Sequence, residues 1–448
     1  MKLWQKKEQA LEELIEQFTI GRDAEMDLRL ARFDILGSLA HVKMLASCGL
    51  LPEDDALQLA SALQQYYVEV EAQVNSGMFT LEPGMEDIHS QVEWWLTRKL
   101  GDAGKKIHSA RSRNDQVLVD LKMYLRDEIE QIASRTHQLA ERFLIRAEQH
   151  QHDLLPGFTH LQLAMPSSFG LWFSAWAESL NDDLIVLEAA FRVINRNPLG
   201  SAAGYGSSFP INRTQTTALL GFEGLNYNVV YAQMGRGKAE KLMATAMSSI
   251  ASTLARFSMD ACLYLSQPLS YICLPESLTT GSSIMPHKKN PDVLELLRGH
   301  CNLLTGLPQT IGNLMTNLPS GYHRDLQLLK EQLFPAIDTL KRCLDMLIFV
   351  LDQIEVKPGL LNDEKYRYLF SVEEVNKLVL SGVPFRDAYR IIGEQIQQDA
   401  FRYSTKIHHV HEGSIGNLCL SEIRGLLNQT LSRFQFDQIH RAYDALLD

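Results

Sequence analysis

The chain has 448 residues, 45% of them hydrophobic and 22% charged, with 54 acidic against 43 basic side chains and a formal net charge of -11. That balance is ample for a large folded core and excludes a disordered, collagen-like or disulfide-built chain. The acidic excess and the lack of a long basic run exclude a nucleic-acid coat or a membrane-surface helix, so neither nucleic acid nor membrane is expected as a partner.

In chain order, the opening MKLWQKKEQALEELIEQ has no apolar signal core; its apolar residues recur at helical spacing. Glycine and proline are absent from Lys105 to Leu155, from Leu171 to Asn197, from Lys238 to Gln267 and from Ala336 to Lys357. Uninterrupted stretches of this length predict long helices. In the first of them Leu118, Leu121, Leu125, Ile129, Ile132, Leu139 and Phe143 fall on one helical face. Strand-like alternation is sparse and confined to short pieces such as Tyr227 to Tyr231. Helices this long predict a bundle, and Leu340 to Leu351 is apolar on more than one face, so the bundle is expected to be shared between subunits. The expected division is a helical domain over residues 1–105, a central bundle over 106–355 and a small helical domain over 356–448, with Pro358-Gly359 as linker. The six cysteines, Cys48, Cys262, Cys273, Cys301, Cys343 and Cys419, form no CxxC pair, which predicts reduced core thiols in a cytoplasmic protein.

Four segments at helix ends carry polar chemistry. In Gly281-Ser282-Ser283-Ile284-Met285-Pro286-His287-Lys288-Lys289-Asn290-Pro291-Asp292, Asn290 reads as a helix N-cap and Pro291 as the first helical residue. Lys288 and Lys289 then sit beside a helix N-terminus, a place that favours anions, although a plain capped surface loop reads equally well. His108-Ser109-Ala110-Arg111-Ser112-Arg113-Asn114-Asp115 leads into the first long helix, with Asn114 or Asp115 as its cap. An extended Ser112 to Asn114 would put Ser112 and Asn114 on one side and Arg113 on the other. Pro156-Gly157-Phe158-Thr159-His160-Leu161-Gln162 offers a histidine suited to acid–base work or to a partly buried hydrogen bond. In Gly321-Tyr322-His323-Arg324-Asp325-Leu326-Gln327-Leu328-Leu329-Lys330, a helix would put Gln327 and Lys330 on one face.

Other signals fail. Gly204-Tyr205-Gly206 lacks the third glycine of a dinucleotide fingerprint, and Gly235-Arg236-Gly237-Lys238 lacks the spacing of a phosphate loop. His408, His409 and His411 have no accompanying ligand set, and His89 with Glu93 at i, i+4 is one pair without a third ligand. No metal and no cofactor are expected.

GSSIMPHKKNPD resembles the GSSxMPxKxNP signature of the fumarase/aspartase superfamily. HSARSRNDQV, PGFTHLQLAMP and GVPFRDAY resemble segments of one of its families, the argininosuccinate lyases, as do Glu86-Asp87-Ile88-His89 and Pro198-Leu199-Gly200-Ser201. The matches run from about residue 85 to 390. The chain departs from that family at Phe18-Thr19-Ile20-Gly21-Arg22-Asp23, where FN-x-S is usual, at His287 in place of glutamine, and at residues 228–236, where Arg236 stands in a replaced stretch.

The resemblance implies a mostly α, three-domain, all-helical lyase with a central long-helix bundle. It implies reversible β-elimination of argininosuccinate to arginine and fumarate, as in arginine biosynthesis, by a homotetramer with shared active sites. Ser282 resembles the catalytic base, His160 its partner acid, and Glu295 the carboxylate that orients the histidine. Lys288 and Asn290 map onto contacts to substrate carboxylates, and Ser112, Arg113, Asn114, Thr159, Tyr322, Gln327 and Lys330 onto further substrate-binding positions. An adenylosuccinate-type lyase and a crystallin-like structural protein are the alternatives. The RSRND and GVPFRDAY segments argue against the first, and intact Ser282, His160, Lys288 and Glu295 against the second.

Overall fold

The helices are long because nothing in the sequence stops them and each has an apolar face to bury. The computed structural model describes residues 13–407 and 409–448, so most of the helix-spaced opening segment, and His408, lie outside the described residues. In chain order the main helices are α1 (Asp23–Asp27), α2 (Ala31–Ser47), α3 (Glu53–Asn75), α4 (Ile88–Leu100), α5 (Arg113–Gln149), α6 (Phe169–Ile194), α7 (Lys238–Leu265), α8 (Asp292–Thr305) and α9 (Leu328–Gln353). They are followed by α10 (Ser371–Leu380), α11 (Phe385–Gln397), α12 (Leu420–Ser432) and α13 (Phe436–Leu447). Sheet among the described residues is limited to two-stranded pieces. No helix among them is long and apolar enough to cross a membrane.

The bundle is built on α5, which packs against α2, α6, α9 and α12, while α7 packs against α6, α8 and α9. Each predicted apolar position on α5 is buried. Burying a leucine or phenylalanine of this kind contributes roughly 1.5–3 kcal/mol. Aromatic contacts close the middle of the bundle: Phe143 meets Phe257 edge-on at 4.9 Å, and Trp172 stacks on Phe257 at 5.3 Å. Buried Arg126 ties α5 to the C-terminal end of the chain. Its guanidinium donates to Asn195 Oδ1, to the carbonyls of Leu220 and Gly221 and to Tyr443 Oη, and it lies over the Phe222 ring at 3.9 Å.

Four local expectations are corrected. Residues 227–231 are not a strand: the Asn228 side chain accepts from the amides of Val230 and Tyr231 and so starts a short helix, Val229–Met234. The helix predicted from Ala336 begins eight residues earlier, at Leu328, and passes through Pro335. Burial of Leu329, Leu333 and Phe334 holds the turns before the proline despite the amide it lacks. Among the cysteines only Cys301 and Cys343 are buried, and Cys273 is exposed; all six are unpaired. The segment around His160 is no open loop between helices but the tip of a hairpin, β1 (Leu154–Thr159) antiparallel to β2 (Gln162–Ser168).

Past residue 356, α10 and α11 pack on each other around a small separate core of Val375, Ala388 and Ile392. Helices α12 and α13 return to the main core through Leu427, Ile439 and Leu446.

Candidate active site

The first part of the site is a cavity of about 160 Å³ beside the start of α5. Ser112, not Asn114 or Asp115, is the N-cap of α5: its Oγ accepts from the Asn114 amide at 3.3 Å, and its own amide donates to Asp115 Oδ1 at 2.8 Å. This is a capping box, so Arg113 and Asn114 are already helical and the extended alternation expected there does not exist. The other oxygen of Asp115 accepts from the amides of Gly200 and Ala202, which fixes the turn after α6 against the same helix start.

Arg113, Asn114, Tyr322, Gln327 and Lys330, all expected at the site, line this cavity together. So do Asp23, Asp27, Glu86, Asp87, His89, Arg236 and Arg324. Lys330, 3% exposed, lies between two carboxylates of α1, with Nζ 2.6 Å from Asp23 Oδ1 and 2.5 Å from Asp27 Oδ1. Burial alone would lower its pKa, but Asp27 and Asp23 outweigh that and raise it, so it stays charged. Gln327 donates to the carbonyls of Thr19 and Ile20 at 3.1 Å each, tying the segment that departs from FN-x-S to the cavity wall. Arg113 pairs with Asp87 at 2.9 Å and with Glu86 at 3.4 Å. Burial and the neighbouring Asp87 raise the Glu86 carboxyl above its ordinary value.

Buried Arg236 donates to the Leu326 carbonyl at 3.1 Å, faces Glu240 Oε1 at 4.0 Å through an Nε that makes no hydrogen bond, and stands 6.0 Å from the Tyr322 ring. The His89–Glu93 pair does not form: Glu93 faces His108 at 3.5 Å, while His89 turns inward to Asp34 and Asp120.

The second part is the signature loop. Strands β3 (Thr280–Gly281) and β4 (Lys289–Asn290) pair antiparallel and close residues 282–288 into a loop. Asn290 therefore sits in a strand and Pro291 is the uncapped residue before α8, which starts at Asp292; the expected Asn290 cap is absent because the β pairing claims that backbone. Within the loop Ser282 Oγ accepts from the amides of Met285 at 3.0 Å and Ile284 at 3.3 Å. Two amides aimed at one hydroxyl oxygen favour negative charge on it. His287, Lys288 and Glu295 are exposed.

The third part is the hairpin tip. Thr159 pairs with Gln162, leaving His160 and Leu161 as the two turn residues, both with positive φ (53° and 60°). A two-residue hairpin turn demands that conformation, and side chains other than glycine adopt it at a cost. His160 is thereby projected into solvent next to Leu161, which is 80% exposed. No hydrogen bond links Ser282, His160 and Glu295 among the described residues of one chain.

Asp23, Asp27, Glu86, Asp87, His89, Val117 and Arg324 line the cavity without having been expected as site residues. The signals for them were Asp23 and Asp27 at i, i+4, and the Glu86-Asp87-Ile88-His89 run; what joins them is Lys330 and Arg113, more than two hundred and about twenty-five residues away.

A family profile described as "Lyase" matches residues 5–306. Over 446 residues the chain is 55% identical to a protein of Bacteroides thetaiotaomicron named argininosuccinate lyase, covering 100% of this chain and 99% of that one. A Bacteroides fragilis protein of the same name is 54% identical over the same coverage. Among solved structures, an EDDS lyase in complex with formate superimposes with a TM-score of 0.73 at 22% identity, covering 98% of this chain and 94% of the other.

Proposed function

This chain belongs to the lyase family and, within it, to the argininosuccinate lyases, and on that premise we propose how its residues cleave argininosuccinate to arginine and fumarate. It is a carbon–nitrogen lyase. A base removes the proton from the succinyl carbon next to a carboxylate, the electron pair spreads into that carboxylate, and the guanidino nitrogen leaves as an acid protonates it. In our reading Ser282 takes or returns one of these protons and His160 the other, with Glu295 orienting the imidazole. The observation that carries the assignment of Ser282 is its pair of amide donors, which stabilise an oxyanion on Oγ.

The two kinds of lining suit the two ends of the substrate. The cavity mixes cations with carboxylates and fits the zwitterionic amino-acid end. The exposed segments bring Lys288, Asn290 and Thr159, which suit the dicarboxylate end, where charge builds up as the proton leaves.

We read the protein as a homotetramer with sites shared between chains, a reading that the separation of these segments supports. Their apolar neighbours support it: Leu161, Ile284 (86% exposed) and Leu296 (66% exposed) surround the polar groups, and Met346 and Phe349 of α9 are uncovered. The three-domain division at about residues 105 and 355 draws support from the separate core of α10 and α11. A cytoplasmic location is our reading of the unpaired cysteines.

The test is fumarate absorbance on adding argininosuccinate, with adenylosuccinate as the control substrate. Release from the second substrate alone would overturn the assignment. Mixed and reassembled His160→Ala and Ser282→Ala variants, each inactive alone, are expected to regain turnover. Verified mixing without recovery would count against shared sites.

A further inference from the structure

The wall of the cavity carries a histidine that the chemistry above leaves unused. His89, in the first turn of α4, is 6% exposed. Its Nδ1 lies 2.5 Å from Asp34 Oδ2 on α2 and 3.6 Å from Asp120 Oδ2 on α5. Its Nε2 has no hydrogen-bond partner among the described residues, and the ring lines the cavity. With Nδ1 committed to Asp34, Nε2 is the polar atom left for a ligand, and its role depends on the charge of the ring.

The surroundings decide that charge. Asp87, which caps the helix of His89, and Asp27 of α1, which accepts from the Ile88 amide, add negative potential on the cavity side. The nearby cations are already engaged: Arg113 by Asp87 and Glu86, Lys330 by Asp23 and Asp27, while Arg111 reaches Ser38 and faces Asp34 and Asp120. Burial disfavours a charged ring, but the contact with Asp34 outweighs it and raises His89 above the ordinary histidine value. Asp120 is fully enclosed and its Oδ2 has no hydrogen-bond partner. Burial first, then the adjacent Asp34, push its carboxyl well above the ordinary carboxylate range, which favours its neutral form. A cationic ring beside a carboxyl that holds its proton more tightly than usual leaves less uncompensated charge inside the protein, which lowers the cost of enclosing these groups.

We propose that His89 is a substrate-facing cationic donor in this cavity, held in that state by Asp34 through Nδ1, with Asp120 beside them as a neutral acid. The inference rests on reading the cavity as the place of the amino-acid end of the substrate. The group His89 takes is a carboxylate, through a charge-assisted Nε2–H···O bond. Asp34 is absent from the cavity lining and acts only through the imidazole, so it is a positioning residue.

The test joins spectroscopy with a pH profile. In protein labelled at histidine Cε1, with His89→Gln for assignment, the His89 signal is expected at the imidazolium position at pH 7.5. In Asp34→Asn the ring loses its counter-charge, worth about 1–3 pKa units, so kcat/KM for argininosuccinate should fall about tenfold or more between pH 6 and 8. Wild type should lack that limb. Asp120→Asn replaces one neutral hydrogen-bonding group by another and should keep the wild-type shape of the profile. A neutral His89 ring in the wild-type protein at pH 7.5 overturns the inference, even if Asp34→Asn fails to fold. Equal, pH-independent losses in the two aspartate variants would also overturn it. Absence of wild-type turnover would instead sink the proposed function, whereas turnover with a neutral ring sinks this inference alone.

Discussion

The cavity beside α5 and the pair of exposed segments at residues 159–161 and 281–295 differ in where their partners come from. In the cavity every strong charge meets another from the same chain: Lys330 with Asp23 and Asp27, Arg113 with Asp87, His89 with Asp34. In the exposed segments the side chains of Lys288, His160 and Glu295 make no hydrogen bond or ion pair among the described residues, and their neighbours Leu161, Ile284 and Leu296 are uncovered. The cavity is pre-organised by folding alone, while in the proposed shared-site reading the groups on the exposed segments are completed by a second chain. Fixed charge is worth most where water is excluded, and a loop that must admit substrate and then exclude water is drawn from the less constrained parts of a fold.

The largest effect expected from breaking this contrast is on stability. Lys330→Met leaves buried Asp27 and half-buried Asp23 without their cation and should lower unfolding stability by roughly 3–5 kcal/mol, read from denaturant midpoints. The same change at exposed Lys288 should stay within about 0.5 kcal/mol. Equal losses at the two lysines would erase the distinction between the regions.

Next comes Ser282→Ala. It removes the hydroxyl held by two amides and should lower kcat by at least about 100-fold while calorimetric binding of argininosuccinate persists. Ser283→Ala should do much less; a large loss there alone would move the base by one residue.

A smaller effect concerns pH. His41 of α2 is buried with Nε2 2.8 Å from the Ser109 carbonyl, at the segment that leads into α5. Burial, then nearby Arg111, lowers its pKa to about 3. Between that value and the ordinary one near 6.5 the unfolded chain binds a proton that the folded chain does not, so this contribution to stability is complete above about pH 6.5 and is lost as pH falls. At pH 5 the loss should be about 2 kcal/mol. Chemical denaturation from pH 7 to 5 checks it: His41→Gln should remove up to one proton from the slope, and an unchanged slope would mean that the ring charges in place.

The smallest is Glu295→Gln, expected to keep the fold and lose roughly tenfold in turnover. Activity unchanged across pH would leave Glu295 as a surface helix residue.

Long helices were legible because they depend on local terms, an unbroken run without glycine or proline and a repeating apolar face; α5 and α7 lie inside the predicted stretches, and α6 starts two residues before its own, at Phe169, taking in Gly170. Helix starts were less legible. Ser112 and Asn114 are both good caps by type, and what selects Ser112 is Asp115, whose second oxygen is claimed by the turn at Gly200 and Ala202. Asn290 and Pro291 read as a helix start until the pairing of residues 280–281 with 289–290 takes that backbone. The hairpin at 154–168 was missed because its turn residues, His160 and Leu161, are poor candidates for positive φ, and only pairing of the strands holds them there.

By itself the sequence determined the helical class, the family resemblance and the residue types at each reactive segment, since these rest on composition, periodicity and short motifs. The tertiary structure decided which of them meet. It drew Asp23, Asp27, Asp87, His89, Arg113, Arg236 and Lys330 around one cavity, from segments up to about three hundred residues apart. It also left Ser282, His160 and Glu295 without a hydrogen bond to one another among the described residues. The physical reason is that a charge is tolerated inside a protein only beside a partner, and the packing of helices distant in sequence supplies that partner.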